Sequence, residues 1–334
     1  MTMFTRIRSH LCKAALAAAL GMALCAAPAS AQEAHLLRIG TGGLLGVYYP
    51  VGNALAGGIT LALGPDILAV AQSSGGSVVN IRSLLDHELE AGLAQADVAL
   101  RALNGQGSFA GETGGERLRA IASLYPERLQ IVVRRDSGIR SVRDFRGKTV
   151  SLDETGSGTL EVMRLVLEAN AISEKDFDPV YLKPEFTTDR LTAGSVHGVC
   201  LVAGTPTQAF AGILGEDALL VPIDSETARR INRLHPALVP GVIPEGTYPG
   251  VPETLTVEVH ALLLVTADMD EAMAYALTRA IWNEKTRALL RDAHPLARSI
   301  AMESATRGLS VPLHPGALRF YREQGLSPAG GSAP

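Results

Sequence analysis

The sequence predicts an α/β protein built as two lobes with a cleft between them. Short β-like runs alternate with helix-like runs in two stretches, about residues 36–125 and 147–223. Such alternation favours parallel sheets with helices on both faces. Two further β-like runs, 129–134 and 254–265, are placed between the halves as strands that cross from one lobe to the other.

The predicted strands of the two lobes are short apolar runs, as expected for buried strands. Most end at glycine, proline or small polar residues, which favour turns. Four belong to the first stretch and four to the second: 36–39, 67–72, 92–95, 118–124, 149–152, 180–182, 198–202 and 218–223.

The helix-like runs separate these strands. The region 236–252 holds five prolines and three glycines and is therefore interpreted as loop or linker. A single helical turn is expected at 141–145, and 270–292 is expected to be the longest helix. The other predicted helices are 49–63, 78–85, a helix starting at Asp97, 160–167, 188–193, 206–214, 226–234, 299–307 and 318–324.

The N-terminal segment has the pattern of a secretory signal peptide. Arg6, Arg8 and Lys13 precede a short apolar run, and an Ala-Ser-Ala site ends at Ala31. We expect cleavage after Ala31, so residues 1–31 are removed and the mature chain is exported to the periplasm. An N-terminal anchor is less favoured, because the apolar run is shorter than the roughly 20 residues of a membrane span.

The composition of the remaining chain excludes several classes of protein. Removing 31 of 334 residues leaves 303, and the three lost positive charges move the net charge from −4 to −7. An acidic chain is not expected to bind nucleic acid or anionic lipid. Cys200 is the one cysteine that remains, so the stability must come from a packed core, and we expect Cys200 to be a buried apolar residue.

The most informative stretch is IGTGGLLGVYYP, residues 39–50. A predicted strand ends there in four glycines within seven residues, and a helix follows. Glycine permits close approach of a ligand to the backbone, and free amides at a helix start attract anions. Two further loops, SSGGS at 73–77 and TGSGT at 155–159, repeat this arrangement and together indicate a ligand in the cleft.

Other chemistries are less well supported by the sequence. A dinucleotide site needs an acidic residue at the end of the second strand, where Gln72 and Ser73 stand instead. The histidines are scattered without metal-ligand spacing, and Ser157 lacks the spacing of a nucleophile elbow. Asp97 is either a catalytic base or, as the favoured interpretation, the N-cap of a helix. We therefore expect neither enzymatic activity, a cofactor nor a metal.

Several blocks of the chain match one known family. IGTGGLLGVYYPVGNALAG, QSSGGSVVNIRSL, GLAQADVA, SVRDFRGKTVSL with TGSGT, and VPLHPGALRFYREQG occur in order over about residues 36–326. In these blocks the chain resembles the extracytoplasmic solute-binding proteins of the TAXI subfamily of TRAP transporters. The resemblance implies a type II periplasmic-binding-protein fold that closes on a small carboxylate, such as glutamate, glutamine, a 2-oxo acid or a dicarboxylic acid. It also implies delivery to a membrane permease driven by an ion gradient.

The resemblance further implies domain boundaries and a site. Lobe I would comprise residues 32–133 and 251–326, lobe II residues 134–250, and residues 327–334 a disordered tail. The implied ligand-binding residues come from loops of both lobes: Thr41, Gly42, Gly43, Val47, Tyr48, Ser74, Ser77, Asn80, Gln95, Asp97, Tyr125, Gly156, Ser157, Gly158, Thr159, Gly204, Thr205 and Pro206.

One departure from the family pattern concerns charge. Asp153 and Glu154 stand where small residues are usual before the GSGT block, and a carboxylate there would repel an anionic ligand if it faced the cleft. Two other functions stay open. The same fold could act as the ligand sensor of a membrane receptor or kinase, or the chain could be an exported enzyme.

Overall fold

The computed structural model describes residues 34–215 and 217–326, and its strands form one ten-stranded sheet. The predicted signal peptide and the predicted tail lie outside these residues. The strands are β1 (His35–Gly40), β2 (Ile67–Gln72), β3 (Ala91–Gln95), β4 (Leu118–Arg134), β5 (Thr149–Ser151), β6 (Asp178–Val180), β7 (Gly198–Ala203), β8 (Ala218–Leu220), β9 (Val239–Ile243) and β10 (Thr254–Thr266).

Helices cover the sheet, and short 3₁₀ turns, one of them at Val142–Phe145, connect several elements. The helices are α1 (Tyr48–Leu63), α2 (Ser77–Leu85), α3 (Ala96–Leu103), α4 (Gly158–Ala169), α5 (Pro184–Thr192), α6 (Gln208–Ala211), α7 (Ser225–Leu234), α8 (Glu271–Ile281), α9 (Glu284–Ala293) and α10 (Pro315–Glu323).

The order of the strands gives a two-lobed, type II-like architecture, as predicted. The main path runs β2-β1-β3-β10-β4-β7-β5-β6, with β8 paired to β4 and β9 to β10. We call the part around β1–β3 the first lobe and the part around β5–β8 the second lobe. Within each lobe the strands β1–β3 and β5–β7 pair in parallel, as the alternating pattern indicated.

Two long antiparallel strands connect the lobes. β4 has 17 residues and β10 has 13, and their pairing runs from Thr266↔Leu118 to Glu258↔Arg128. The prediction of two separate strands at 118–124 and 129–134 was wrong, because β4 continues through Pro126. An irregularity in the pairing between Ala261 and Leu262 lies beside this proline, and such bulges are where a strand tolerates a residue without an N–H.

Four other expectations needed correction. The region 236–252 contains β9, which pairs with β10 alone, and an edge strand of this kind accepts Pro240. The long helix expected at 270–292 is two helices, because the side chain of Asn283 caps α9 by accepting a hydrogen bond from the Thr286 N–H. Only 3₁₀ turns occur within 299–307, and the helix expected at 206–214 is limited to α6.

The core consists of two clusters on opposite faces of the sheet. Along β10, Leu263 and Val265 belong to one cluster, whereas Leu262 and Leu264 belong to the other. This alternation is the period of two that a strand imposes on its side chains. Cys200 is fully buried in β7, as predicted. Among the described residues no helix is long and apolar enough to cross a membrane.

The packing of α1 on α9 depends on the absence of a side chain at Gly58. A Cβ atom there would overlap the buried side chain of Thr286. At the neighbouring Gly57 an added Cβ would lie 3.3 Å from the flexible end of Leu289.

We therefore predict opposite outcomes for two adjacent substitutions. Gly58→Ala should lower the free energy of unfolding by about 1–3 kcal/mol, because overpacking outweighs the gain in helix propensity. Gly57→Ala should change it by less than about 1 kcal/mol. Urea denaturation of both variants measures the difference, and equal stabilities would contradict this account of the interface.

Candidate functional site

A cavity lies between the lobes, and both of them form its walls. Its volume is about 60 Å³, which leaves room for about four water molecules. The first lobe contributes the β1–α1 loop, the loop before α2 and single residues of β3 and β4, and the second lobe contributes the rest. The lining residues are Gly42, Gly43, Gly46, Val47, Tyr48, Gly75, Gly76, Ser77, Gln95, Glu127, Asp153, Glu154, Ser157, Gly158, Thr159, Lys183, Pro184, Glu185, Leu201, Val202 and Ala203.

The cavity includes part of the set of residues predicted from the sequence. The three glycine-rich loops come together, although they are far apart in the chain. Of the predicted residues, Gly42, Gly43, Val47, Tyr48, Ser77, Gln95, Ser157, Gly158 and Thr159 line the cavity, whereas Thr41, Ser74, Asn80, Asp97, Tyr125, Gly156, Gly204, Thr205 and Pro206 do not.

Several of the residues outside the lining hold the loops in place. The Asn80 side-chain amide donates to the carbonyl oxygens of Thr41 (2.6 Å) and Leu93 (2.7 Å). The Ser74 hydroxyl donates to the same Thr41 oxygen at 2.9 Å. These bonds tie the ends of β1 and β3 to the start of α2, so these polar side chains act as a scaffold for the first-lobe wall.

The second-lobe wall is organised by the start of α4. Ser157 caps this helix, because its hydroxyl oxygen accepts a hydrogen bond from the Leu160 N–H at 3.1 Å. The Thr159 hydroxyl oxygen accepts from the Val202 N–H at 3.0 Å and so joins α4 to β7. Gly158 faces the first lobe, and a Cβ there would lie 2.5 Å from the Gln95 side chain. The lobes approach this closely because residue 158 is glycine.

Asp97 is not the N-cap of α3, which was the favoured interpretation from the sequence. The N-cap of α3 is Gln95, and Asp97 lies in the first turn of the helix without a capping hydrogen bond. Asp97 lies 3.9 Å from the guanidinium group of Arg101, and it does not line the cavity. Burial raises the pKa of its carboxyl group to about 6. The N-cap falls on Gln95 because α3 begins at Ala96, directly after β3.

Two buried carboxyl groups in the cavity wall have raised pKa values. Glu127 on β4 accepts a hydrogen bond from the Tyr48 hydroxyl at 2.7 Å, and burial raises its pKa to about 8. Asp153 has a left-handed backbone with φ of 69°. Burial raises its pKa to about 7, although hydrogen bonds to the Glu154 N–H and to the Thr159 and Ser157 hydroxyls act in the opposite direction.

The remaining charged side chains of the cavity, those of Lys183, Glu154 and Glu185, form short polar contacts. Lys183 Nζ lies 3.2 Å from Glu154 Oε1 and donates to the Ser74 carbonyl oxygen at 3.0 Å. Glu185 accepts a hydrogen bond from the Leu45 N–H at 3.1 Å, and its other oxygen, Oε2, has no hydrogen-bond partner. The structure therefore places Asp153 and Glu154 toward the cleft, which is the arrangement that would repel an anion.

Further contacts between the lobes lie around the cavity. The Val78 N–H donates to the Gly156 carbonyl oxygen at 3.1 Å. Away from the cavity, Glu161 on α4 accepts hydrogen bonds from the Ser108 hydroxyl at 2.7 Å and from Arg101 Nη1 at 3.2 Å. In these three contacts the first lobe donates and the second lobe accepts, whereas Lys183 of the second lobe donates to Ser74 of the first. In this closed arrangement each lobe therefore provides donors for acceptors of the other.

Sequence reasoning missed the charged residues of the cavity other than Asp153 and Glu154. Lys183 and Glu185 flank Pro184, the first residue of α5, and proline at a helix start marks such a position. Glu127 follows Pro126 on β4, at a place where the sequence analysis predicted a break between two strands. Among the described residues, no group of three or more His, Cys, Asp or Glu side chains could hold a metal ion.

Glu127 should make stability depend on pH. Its pKa in the folded state, about 8, exceeds the ordinary value of 4.5, so the folded state holds a proton that the unfolded chain releases. The free energy of unfolding should therefore fall as pH rises from about 5 to 8. Glu127→Gln should reduce that fall by an amount on the order of 1–3 kcal/mol in urea denaturation across this range. The same slope in both proteins would contradict the assignment.

Comparison with known structures agrees with this architecture. A protein of Bordetella bronchiseptica RB50 superposes with a TM-score of 0.53 at 16% identity, covering 90% of this chain and 86% of that one. PhnD1 from Prochlorococcus marinus in complex with methylphosphonate gives a TM-score of 0.51 at 11% identity, covering 77% and 89%. The alkanesulfonate-binding protein SsuA from Xanthomonas axonopodis pv. citri, bound to MOPS, gives 0.46 at 19% identity, covering 90% and 82%.

At these low identities the first two likenesses show the fold alone, which is the two-lobed, type II-like α/β architecture described above. The sequence itself carries the family assignment, since the model of one family matches residues 39–325, almost the whole described region. The chain therefore belongs to the NMT1-like family.

Proposed function

We propose that this protein captures a small solute in the cleft by closure of its two lobes and delivers it to a membrane permease. The observation that carries the proposal is a cavity whose polar lining comes from both lobes. A solute held there is fully contacted only in the closed arrangement. Its binding therefore shifts the open–closed equilibrium by its differential affinity for the closed state.

We keep the lobe boundaries predicted from the sequence, with lobe I as residues 32–133 and 251–326 and lobe II as residues 134–250. The paired strands β4 and β10 support a hinge near these boundaries, because they connect the two parts. Bending of two paired strands lets the lobes separate without breaking the core of either. The mature chain begins after Ala31 and works in the periplasm, where an exported binding protein meets its solute.

The partner and the solute follow from the sequence motifs. The resemblance to TAXI proteins supports a TRAP permease, driven by an ion gradient, as the acceptor. It also supports a solute with a carboxylate group, for which the backbone amides at the start of α4 are candidate donors. The volume of the closed cavity favours a small molecule.

A ligand screen combined with a variant that prevents closure tests this proposal. We predict that a solute from a panel of amino acids, dicarboxylates and 2-oxo acids raises the melting temperature and binds with one-site stoichiometry in calorimetry. Gly158→Ala should weaken that binding at least about tenfold, because its Cβ meets Gln95 of the opposite lobe only on closure.

The control for this experiment is Gly212→Ala in the same lobe, where an added Cβ meets no atom within 4 Å. This variant should bind like the wild type. If both variants retained wild-type affinity while remaining folded, lobe closure would not be the mode of binding.

Glu161 should control closure from outside the cavity. It is only 3% exposed and bonds to Arg101 and Ser108 of the first lobe. Glu161→Gln removes the charge with little change of shape, so the closed form should lose about 1–3 kcal/mol, the range for hydrogen bonds to charged groups.

Two measurements check this expectation. The radius of gyration of the ligand-free protein in small-angle X-ray scattering should increase, and the affinity for the solute found in the screen should fall about 10- to 100-fold. The control is Glu174→Gln, which disrupts a carboxylate–Arg164 contact of 2.8 Å within the second lobe. If the two variants behaved alike, the contacts of Glu161 would not govern closure.

A further inference from the structure

The charges in the cavity wall are strongly unbalanced toward acid. Four carboxyl groups line it, those of Glu127, Asp153, Glu154 and Glu185, together with a single cationic side chain, that of Lys183. Carboxylates accept hydrogen bonds, whereas an ammonium group donates three and accepts none. Glu127 keeps its proton near pH 7, because burial raises its pKa to about 8, so the acceptors considered below are those of Asp153, Glu154 and Glu185.

The one lysine is not free to neutralise a second anion. Its Nζ atom already contacts Glu154 Oε1 at 3.2 Å and donates to the Ser74 carbonyl oxygen at 3.0 Å. These contacts use two of its three donor positions, and Glu154 balances its charge. A ligand with two carboxylates would add two negative charges to a wall with little positive charge left.

The anion position at the start of α4 is also occupied by the protein itself. Asp153 adopts a left-handed backbone just before the helix and is 7% exposed. Its carboxyl group interacts with the hydroxyls of Thr159 and Ser157. These are the hydroxyls that the sequence motif offers to a ligand carboxylate, so the chain's own acid competes with an anionic ligand there.

Two acceptors in the lining lack a donor. Gln95 is 3% exposed, and its Oε1 atom has no hydrogen-bond partner. Glu185 Oε2 likewise has none. Buried acceptors without donors are costly, and a ligand N–H group that reaches either of them removes that cost. These two oxygens come from opposite lobes.

We infer that the solute of this cleft is recognised through an ammonium group, so that the cleft selects amines and amino acids over 2-oxo acids and dicarboxylates. The inference rests on the proposed function and specifies its ligand. A 2-oxo acid has a carbonyl oxygen where the amino acid has –NH₃⁺, and it therefore offers an acceptor to a wall of acceptors.

Matched pairs of small molecules test the inference on the mature protein purified from the periplasm. The pairs are alanine with pyruvate, glutamate with 2-oxoglutarate, 4-aminobutyrate with glutarate, and ethanolamine with ethylene glycol. Thermal shift followed by calorimetry ranks them. In at least one pair the amine-bearing member should bind, and it should bind at least 100-fold more tightly than its partner.

A variant that removes one negative charge tests ammonium recognition at a single residue of the cavity. Glu185→Gln should weaken binding of the preferred amine at least tenfold and leave the affinity for its partner unchanged or improved. Asp189→Asn, at an exposed position on the same helix, should have no effect.

The outcomes separate this inference from the proposed function. If a 2-oxo acid or dicarboxylate bound as tightly as its amine partner, and Gly158→Ala weakened that binding, ammonium recognition would be wrong and solute capture by closure would stand. If no member of any pair bound to the folded protein, both would fall.

Discussion

The antiparallel pairing of β4 with β10 is the constraint on which the rest of the structure depends. These strands are the longest in the sheet. β10 pairs with β3 of the first lobe, and β4 pairs with β7 and β8 of the second lobe. Because they are continuous, the lobes share one hydrogen-bonded framework while their facing surfaces remain separate. Glu127 lies on β4 at the base of the cavity, so the connection between the lobes also supplies part of the lining. Bending of β4 near Glu127 therefore changes the lining of the cavity directly.

The features that the sequence predicted best are those with local signals. The loops at 39–50, 73–77 and 155–159 each follow a strand and open a helix, and parallel strands bring such loops to one edge of a sheet. Gly42, Ser77 and Gly158 line the cavity for this reason. Asn80 and Ser74 came from the same motifs but support the loops instead of facing the cavity, and the motif alone does not distinguish these roles.

The charged part of the lining could not be predicted, because it depends on how the lobes meet. Lys183 and Glu185 belong to the turn and helix after β6, and no short motif connects them with Ser74 or Leu45, their partners across the cleft. The sequence analysis noted Asp153 as a departure from the family pattern. The direction of its side chain, however, depends on a left-handed backbone that the sequence does not predict. The prediction of a single helix over 270–292 failed for a simpler reason. Asn283 caps α9, so the chain forms the two helices α8 and α9 in this region.

The burial of Cys200 has a consequence for chemistry outside the cell membrane. The thiol is fully buried in β7, and this burial raises its pKa, so little thiolate forms to attack a disulfide or an oxidant. If the chain is cleaved after Ala31 as proposed, Cys200 is its one cysteine, so its folding needs neither a disulfide oxidase nor an isomerase. Cysteines introduced at the rims of the two lobes would then be the reactive thiols of that chain, and labels attached to them would report the motion of the lobes.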